Sequence, residues 1–237
     1  MLYPIMTETR SVLDLNGIWN FRLDDGTGFE QEWYKTKLSN PLSMAVPASM
    51  NELGITSDIK NHIGWMWYER NFTLPAYLKN QRIVLRFGSA THMAKVYVNG
   101  VLVVEHKGGF LPFEAEINDL LIEGKNRVTV AVDNTIDEST LPVGIENKPN
   151  FDFFNYSGIH RPVKIYTTPF QYVKDITVIT HYEKTKGFVD YEIEYVGSNL
   201  SVSVKVIDES GDVVAIAEGA KGTIRIPNVQ LWEPLAA

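Results

Sequence analysis

A chain of 237 residues with no cysteine, and with 22 basic against 29 acidic side chains for a net charge of −7, excludes several chemistries at once. Disulfides, thiolate catalysis and Cys-ligated zinc are out, and a dispersed negative charge argues against nucleic acid or an anionic membrane as partner, since both need clustered Lys and Arg. No metal and no cofactor is expected, because the five histidines are scattered and none stands in a His-x-x-x-His pair.

The length suits two domains better than one, as domains cluster at ~100–150 residues, each with its own core. The first ten residues have no basic start and no apolar run of signal length, and no later stretch is long enough to span a bilayer. A cytoplasmic location is the expectation.

Period-two alternation bounded by turn residues recurs from end to end, which predicts an all-β chain. Trp19-Asn20-Phe21-Arg22-Leu23 is the first clear strand. Phe29 to Lys35 predicts a short helix that needs packing to persist, and Asn40 to Gly64 reads as a long irregular stretch. Strands follow at Trp67 to Phe72 and Arg82 to Phe87. Met93 to Val98 and Val101 to Glu105 flank Asn99-Gly100, a pair that tolerates the positive φ of a type I′ turn, so these residues predict a hairpin. Ile117 to Leu121 predicts a turn or 3₁₀ segment, and Val128 to Val132 and Val163 to Tyr166 predict strands.

A domain boundary is expected near Thr167-Thr168-Pro169-Phe170, giving domains 1–169 and 170–237. Beyond it the pattern restarts in five short strands: Ile176 to Thr180, Val189 to Tyr195, Val202 to Val206, Val213 to Ala217 and Thr223 to Ile226. Their spacing is that of an immunoglobulin-like sandwich, which needs about seven strands. The second domain is therefore expected to be incomplete at its C-terminus, with an edge strand and some apolar face uncovered.

Asp133 to Asn155 is a second long irregular stretch, and loops of that length in a domain tend to carry function. It runs into Asn150-Phe151-Asp152-Phe153-Phe154-Asn155-Tyr156-Ser157-Gly158-Ile159-His160-Arg161, four aromatic rings crowded around a carboxylate, an amide, a hydroxyl and an arginine. A carboxylate accepts hydrogen bonds from adjacent sugar hydroxyls while an aromatic wall takes the apolar face of a pyranose, so the composition suits a sugar site as well as a packed core. Other constellations are weaker. Gly108-Gly109-Phe110 lacks the Lys-Ser/Thr of a phosphate loop and reads as a tight turn, and Glu105-His106-Lys107 has no nucleophile motif beside it. His160 and Arg161 have the chemistry to orient Asp152, with a structural role favoured.

Leu15-Asn16-Gly17-Ile18-Trp19-Asn20-Phe21, Trp67-Tyr68-Glu69-Arg70, Val96-Tyr97-Val98-Asn99-Gly100, Glu105 to Glu114 and Asp152 to Arg161 resemble, in order and spacing, the N-terminal region of bacterial β-glucuronidases of glycoside hydrolase family 2. The resemblance covers nearly the whole chain. It implies a jelly-roll sugar-binding domain, then an immunoglobulin-like domain, then a (β/α)₈ barrel that this sequence lacks. Retention of anomeric configuration needs two carboxyl groups ~5–5.5 Å apart. By the resemblance both glutamates belong to the barrel, so no catalytic residue has a counterpart here. Asn51-Glu52 repeats the family's acid/base dipeptide but falls in a first-domain loop, by coincidence. One substrate-binding residue carries over: Asp152, in the position that meets the sugar hydroxyls. Five residues, 145–149, link Gly144 to Asn150, a shorter tether than in related enzymes.

The implied function is the non-catalytic N-terminal region of a retaining β-glucuronidase, inactive alone, with a β-glucuronide and the missing barrel as partners and a homo-oligomer allowed. A family 2 β-galactosidase and a free-standing carbohydrate-binding or assembly module are the alternatives.

Overall fold

The computed structural model describes residues 2–143 and 154–232. Strands β1 (Val12–Asp14), β2 (Gly17–Leu23) and β3 (Leu42–Val46) precede two one-turn helices, α1 (Met50–Leu53) and α2 (Ser57–Lys60). Then come β4 (Trp65–Thr73), β5 (Arg82–Phe87), β6 (Met93–Val98), β7 (Val101–Lys107), β8 (Phe113–Glu116), β9 (Lys125–Asp133) and β10 (Val163–Thr168). The last five strands are β11 (Tyr172–Glu183), β12 (Lys186–Val196), β13 (Ser203–Ile207), β14 (Val213–Glu218) and β15 (Lys221–Ile226). The chain divides into two compact units, Ile5–Thr168 and Met1–Pro4 with Pro169–Ala237.

The larger unit is two antiparallel sheets, one in the order β3-β2-β4-β9-β6-β7 and the other β1-β10-β5-β8. Alternation along β4 shows why they pack. Met66, Tyr68 and Phe72 enter the core between the sheets with Phe21, Val130 and Ile165, whereas Trp67 belongs to a second apolar cluster with Trp33, Leu38, Tyr97 and Ala131. Successive strand side chains point to opposite faces, so a strand apolar on both faces must be covered twice.

The second cover is the loop between β2 and β3. Its Phe29 ring meets Trp65 edge-on at 4.9 Å, Tyr34 stacks on Tyr97 at 4.2 Å, and the Trp67 indole N–H donates to Asp24 Oδ2 at 2.7 Å. Beneath the loop, the fully buried Glu69 carboxylate accepts from Asn20 Nδ2 at 2.8 Å and from the Leu38 amide at 3.0 Å, with the Arg127 guanidinium 3.9 Å away. Two hydrogen bonds and a nearby cation offset the desolvation of that charge.

This loop corrects the expectation of a helix over Phe29 to Lys35. Residues 28–35 form irregular turns, in which the amides of Gln31, Glu32 and Trp33 bond back four, three and five residues, and Glu32 sits at φ 51°. The rings of Phe29, Trp33 and Tyr34 pack on Trp65, Trp67 and Tyr97 of β4 and β6, and no regular helical period aims all three at that face. The stretch from Asn40 to Gly64 is also less irregular than expected. It holds β3, paired with β2 from Phe21↔Leu42 to Gly17↔Val46, and both short helices. The Asn99-Gly100 hairpin forms as expected, with both residues at positive φ, and Asn118–Leu120 is a 3₁₀ turn.

In the smaller unit the five expected strands are present, the first two longer than the alternation suggested and joined by a turn with Lys184 at φ 55°. They form a sheet β11-β12-β15 and a pair β13-β14. An apolar groove of about 940 Å³ lies open between them, lined by residues such as Ile176, Val178, Tyr191, Ile193, Val202 and Val204. Val178 is 55% exposed.

The docked loop generates a test. A Cβ on Gly28 would sit 2.5 Å from Trp67 Nε1 and 2.5 Å from Asp24 Oδ2, breaking the contact that seats the loop. Gly28→Ala is expected to cost roughly 1–3 kcal/mol by overpacking, read from the denaturant midpoint. An unchanged midpoint would show that the loop is not packed as described.

Candidate functional site

Four connections gather at one end of the larger unit's sheets: residues 47–64 between β3 and β4, residues 88–92 between β5 and β6, residues 108–112 between β7 and β8, and Phe154 to Pro162 ahead of β10. Asn134, just past β9, joins them. Asp152 lies outside the described residues, as does the tether at 145–149. What can be followed is how the segment after it is held.

Asn51, on α1, is the first bolt. Its Oδ1 accepts from both the amide and the hydroxyl of Ser157 at 2.9 Å, while its Nδ2 donates to the Lys60 carbonyl at 2.8 Å. Asn134 is the second: its Nδ2 donates to Ser157 Oγ at 2.9 Å and to the His62 carbonyl at 2.8 Å, and its Oδ1 accepts from the Gly64 amide at 2.8 Å. The three side chains at its centre, Asn51, Asn134 and Ser157, are buried, Ser157 completely, and the lattice leaves their polar groups satisfied out of water.

Backbone bonds run alongside. The Met50 amide donates to the Ser157 carbonyl, Ala48 to Ile159 and Thr91 to Gly158, at 2.9, 3.0 and 3.1 Å. Gly158 sits at φ +117°, and a Cβ there would lie 2.7 Å from the Tyr68 hydroxyl, so both conformation and space demand glycine. Ile159 follows fully buried in the core, and the segment is pinned at its far end.

Two imidazoles complete the site. His160 spans the Thr91 and Ser89 hydroxyls, each 2.8 Å from a ring nitrogen, and Ser89 in turn donates to the Gly109 carbonyl at 2.5 Å. His92 meets Asn155 Oδ1 through Nε2 at 2.9 Å, and Asn155 Nδ2 donates to the Asn134 carbonyl at 3.0 Å. The Phe110 ring lies edge-on to both histidines, 6.1 Å from His92 and 5.9 Å from His160.

On the open side, the rings of Phe154 and Tyr156 approach to 4.8 Å and, with Glu52, Ile55, Ser57, Lys60 and Asn61, border a pocket of about 410 Å³. Apolar rings beside a carboxylate, an ammonium, a hydroxyl and an amide form a surface with the chemistry to take a polyol ring.

The other sequence candidates separate. Gly108-Gly109-Phe110 is the tight turn expected, with Gly108 at φ +139° and the Leu111 amide bonding back to Gly108 at 3.0 Å. On β7, Glu105 pairs with Lys95 at 3.1 Å, His106 stacks on Phe113 at 4.4 Å, and Lys107 reaches Asp137 at 3.5 Å, so the three side chains go to different partners. Asn51 is structural and Glu52 is exposed at the pocket. His160 acts on Ser89 and Thr91, and Arg161 is exposed at the approach to β10. The structural work of Asn51, Asn134 and Ser89 was missed, because lone polar residues in loops leave no periodic signal.

Burial pushes both imidazoles below the ordinary histidine range. For His92 desolvation outweighs the opposing Asn155 bond and the Asp133 and Asp137 carboxylates; for His160 it outweighs a bond donated to the Gly158 backbone carbonyl and is reinforced by the charges of Arg161 and His92. With the folded value depressed, the unfolded chain binds the proton first. The stabilisation is therefore full above an ordinary imidazole's value of ~6.5 and is lost as pH falls from there through the folded values. Thermal midpoints are expected to stay level above that pH and to fall below it, with a shallower acid limb in His92→Gln, which has no proton to take. Superimposable limbs for the two proteins would contradict this.

Comparison with known proteins bears on the whole chain. It is 44% identical to a β-glucuronidase of Felis catus and 42% identical to one of Paenibacillus borealis, over 99% and 100% of its length but only 40% and 42% of theirs. Among solved structures, a β-glucuronidase from an uncultured Clostridium species superposes with a TM-score of 0.93 at 44% identity, over the whole of this chain and 43% of that one. The Ruminococcus gnavus β-glucuronidase in complex with D-glucuronic acid superposes with a TM-score of 0.90 at 38% identity, over 98% of this chain and 42% of its own. The chain thus spans about two fifths of the relatives it matches, corresponding to their N-terminal portion. Residues 12–169 match the family model described as glycosyl hydrolases family 2, sugar binding domain, and the chain belongs to that family.

Proposed function

We propose that this chain is the non-catalytic N-terminal region of a retaining β-glucuronidase, and that it supplies one wall of a glucuronide site whose acid/base and nucleophile lie on a barrel outside it. The observation that carries the reading is the bolted segment at Phe154 to His160 in a chain whose relative of known structure holds D-glucuronic acid. Asp152, two residues ahead of Phe154, is the group we assign to the sugar hydroxyls. A carboxylate there accepts hydrogen bonds and has no part in bond cleavage. Hydrolysis with retention needs two carboxyl groups flanking the glycosidic bond, one to protonate the leaving oxygen and one to attack the anomeric carbon. Such a pair is what the barrel would bring. A cytoplasmic location is part of the same proposal.

The chain by itself is expected to release no nitrophenol from nitrophenyl β-glucuronide, and turnover that copurifies with it would overturn the assignment of the chemistry elsewhere. Half a pocket binds weakly, since the area and preorganisation that offset association entropy are missing. Any calorimetric signal from glucuronate is expected to vanish in Asp152→Ala. A signal retained in that variant would remove Asp152 from the site.

A further inference from the structure

We propose that His92 is a positioning residue for the Phe154 to Gly158 segment, acting through Asn155 as a neutral imidazole of fixed tautomer. Asn155 cannot be turned over without loss, because its Nδ2 donates to the Asn134 carbonyl, which accepts and cannot donate. Its Oδ1 therefore faces His92 Nε2, 2.9 Å away, and that nitrogen must carry the hydrogen. The other nitrogen, Nδ1, is buried and has no hydrogen-bond partner among the described residues. A second proton would have to sit on that nitrogen with nothing to receive it. His92 is 2% exposed, in a place where an acid or base serving bulk solvent would be cut off, while the ring's one hydrogen bond among the described residues goes to the segment.

The surroundings hold the ring rather than the reverse. A Cβ on Gly109 would lie 3.0 Å from Nδ1, so the turn of Gly108 and Gly109 closes over the ring. The His92 amide donates to the Asp133 carbonyl at 2.6 Å, and its carbonyl accepts from the Gly108 amide at 3.1 Å. The residue is thereby tied to β9 and to the turn after β7, two parts of the rigid sheet framework. Asn155 is its contact with the segment. Ser157 is already bolted to Asn51 and Asn134, and His92 adds a third anchor two residues nearer to Asp152. The inference rests on the proposed function only for what the positioning serves.

The test uses the 237-residue chain and two variants: His92→Phe keeps a ring without a donor, and His92→Gln returns an amide N–H near the position of Nε2. Nitrogen-15 spectra of the wild-type imidazole are expected to show the Nε2–H tautomer. In His92→Phe, protection from hydrogen exchange is expected to drop about tenfold at the Tyr156 amide and the Asn155 side chain, with the amides of Tyr68 and Val130 unchanged, and His92→Gln is expected to restore it. An Nδ1–H tautomer, unchanged protection in His92→Phe, a loss shared equally by the β4 and β9 amides, or failure of His92→Gln to rescue would each overturn the inference. Sugar binding by the wild type and by Asp152→Ala bears instead on the proposed function, and its failure would leave these exchange results standing.

Discussion

The site hangs on a buried amide. Asn51 has four hydrogen-bonding positions, and the structure gives its oxygen both the amide and the hydroxyl of Ser157 while its nitrogen reaches Lys60. Those bonds join α1, the end of α2 and the approach to β10, segments more than a hundred residues apart in the chain at the widest. An isolated hydrogen bond contributes little net stability, but leaving a buried partner unmet costs about 1–3 kcal/mol, so a shared lattice fails or holds as a unit. Asn134 meets Ser157 from the other side and makes that dependence mutual.

The sheets bring these loops together. β4 pairs with β9 through nine residues, from Trp65↔Asp133 to Thr73↔Lys125, which puts the start of β4 beside the end of β9 and so His62 and Gly64 beside Asn134. β6 pairs with β9 from Met93↔Asp133, and the same register sets His92 against Asp133. A core of interleaved aromatic and branched side chains holds that register, since a one-residue slip would turn Met66 and Tyr68 out and Trp67 and Glu69 in. Loops placed by a rigid scaffold in this way can be varied in sequence without moving their anchors.

Much of this was legible before the structure. Alternation found most strands of the first unit and all five of the second, and Asn99-Gly100 marked its hairpin because only a few residue types accept positive φ there. Gly158 stood inside the segment singled out for its rings. The failures have physical causes. Phe29, Trp33 and Tyr34 look like a helix until Trp65, Trp67 and Tyr97 are seen to need a cover. β3 is five residues at a sheet edge with two exposed positions, too short for its alternation to stand out. Asn51 was dismissed along with Glu52 as a chance dipeptide, and its role depends on Ser157, a partner that no local pattern connects to it.

The central claim is that the segment from Phe154 to Gly158 belongs to the folded framework of the larger unit and is no flexible flap. Native-state hydrogen exchange at the Ser157 amide, which donates to Asn51, tests it directly. The account predicts that this amide exchanges only with global opening, at the same free energy as the amides of Tyr68 on β4 and Val130 on β9. Exchange through a local opening at a much lower free energy than theirs would contradict it.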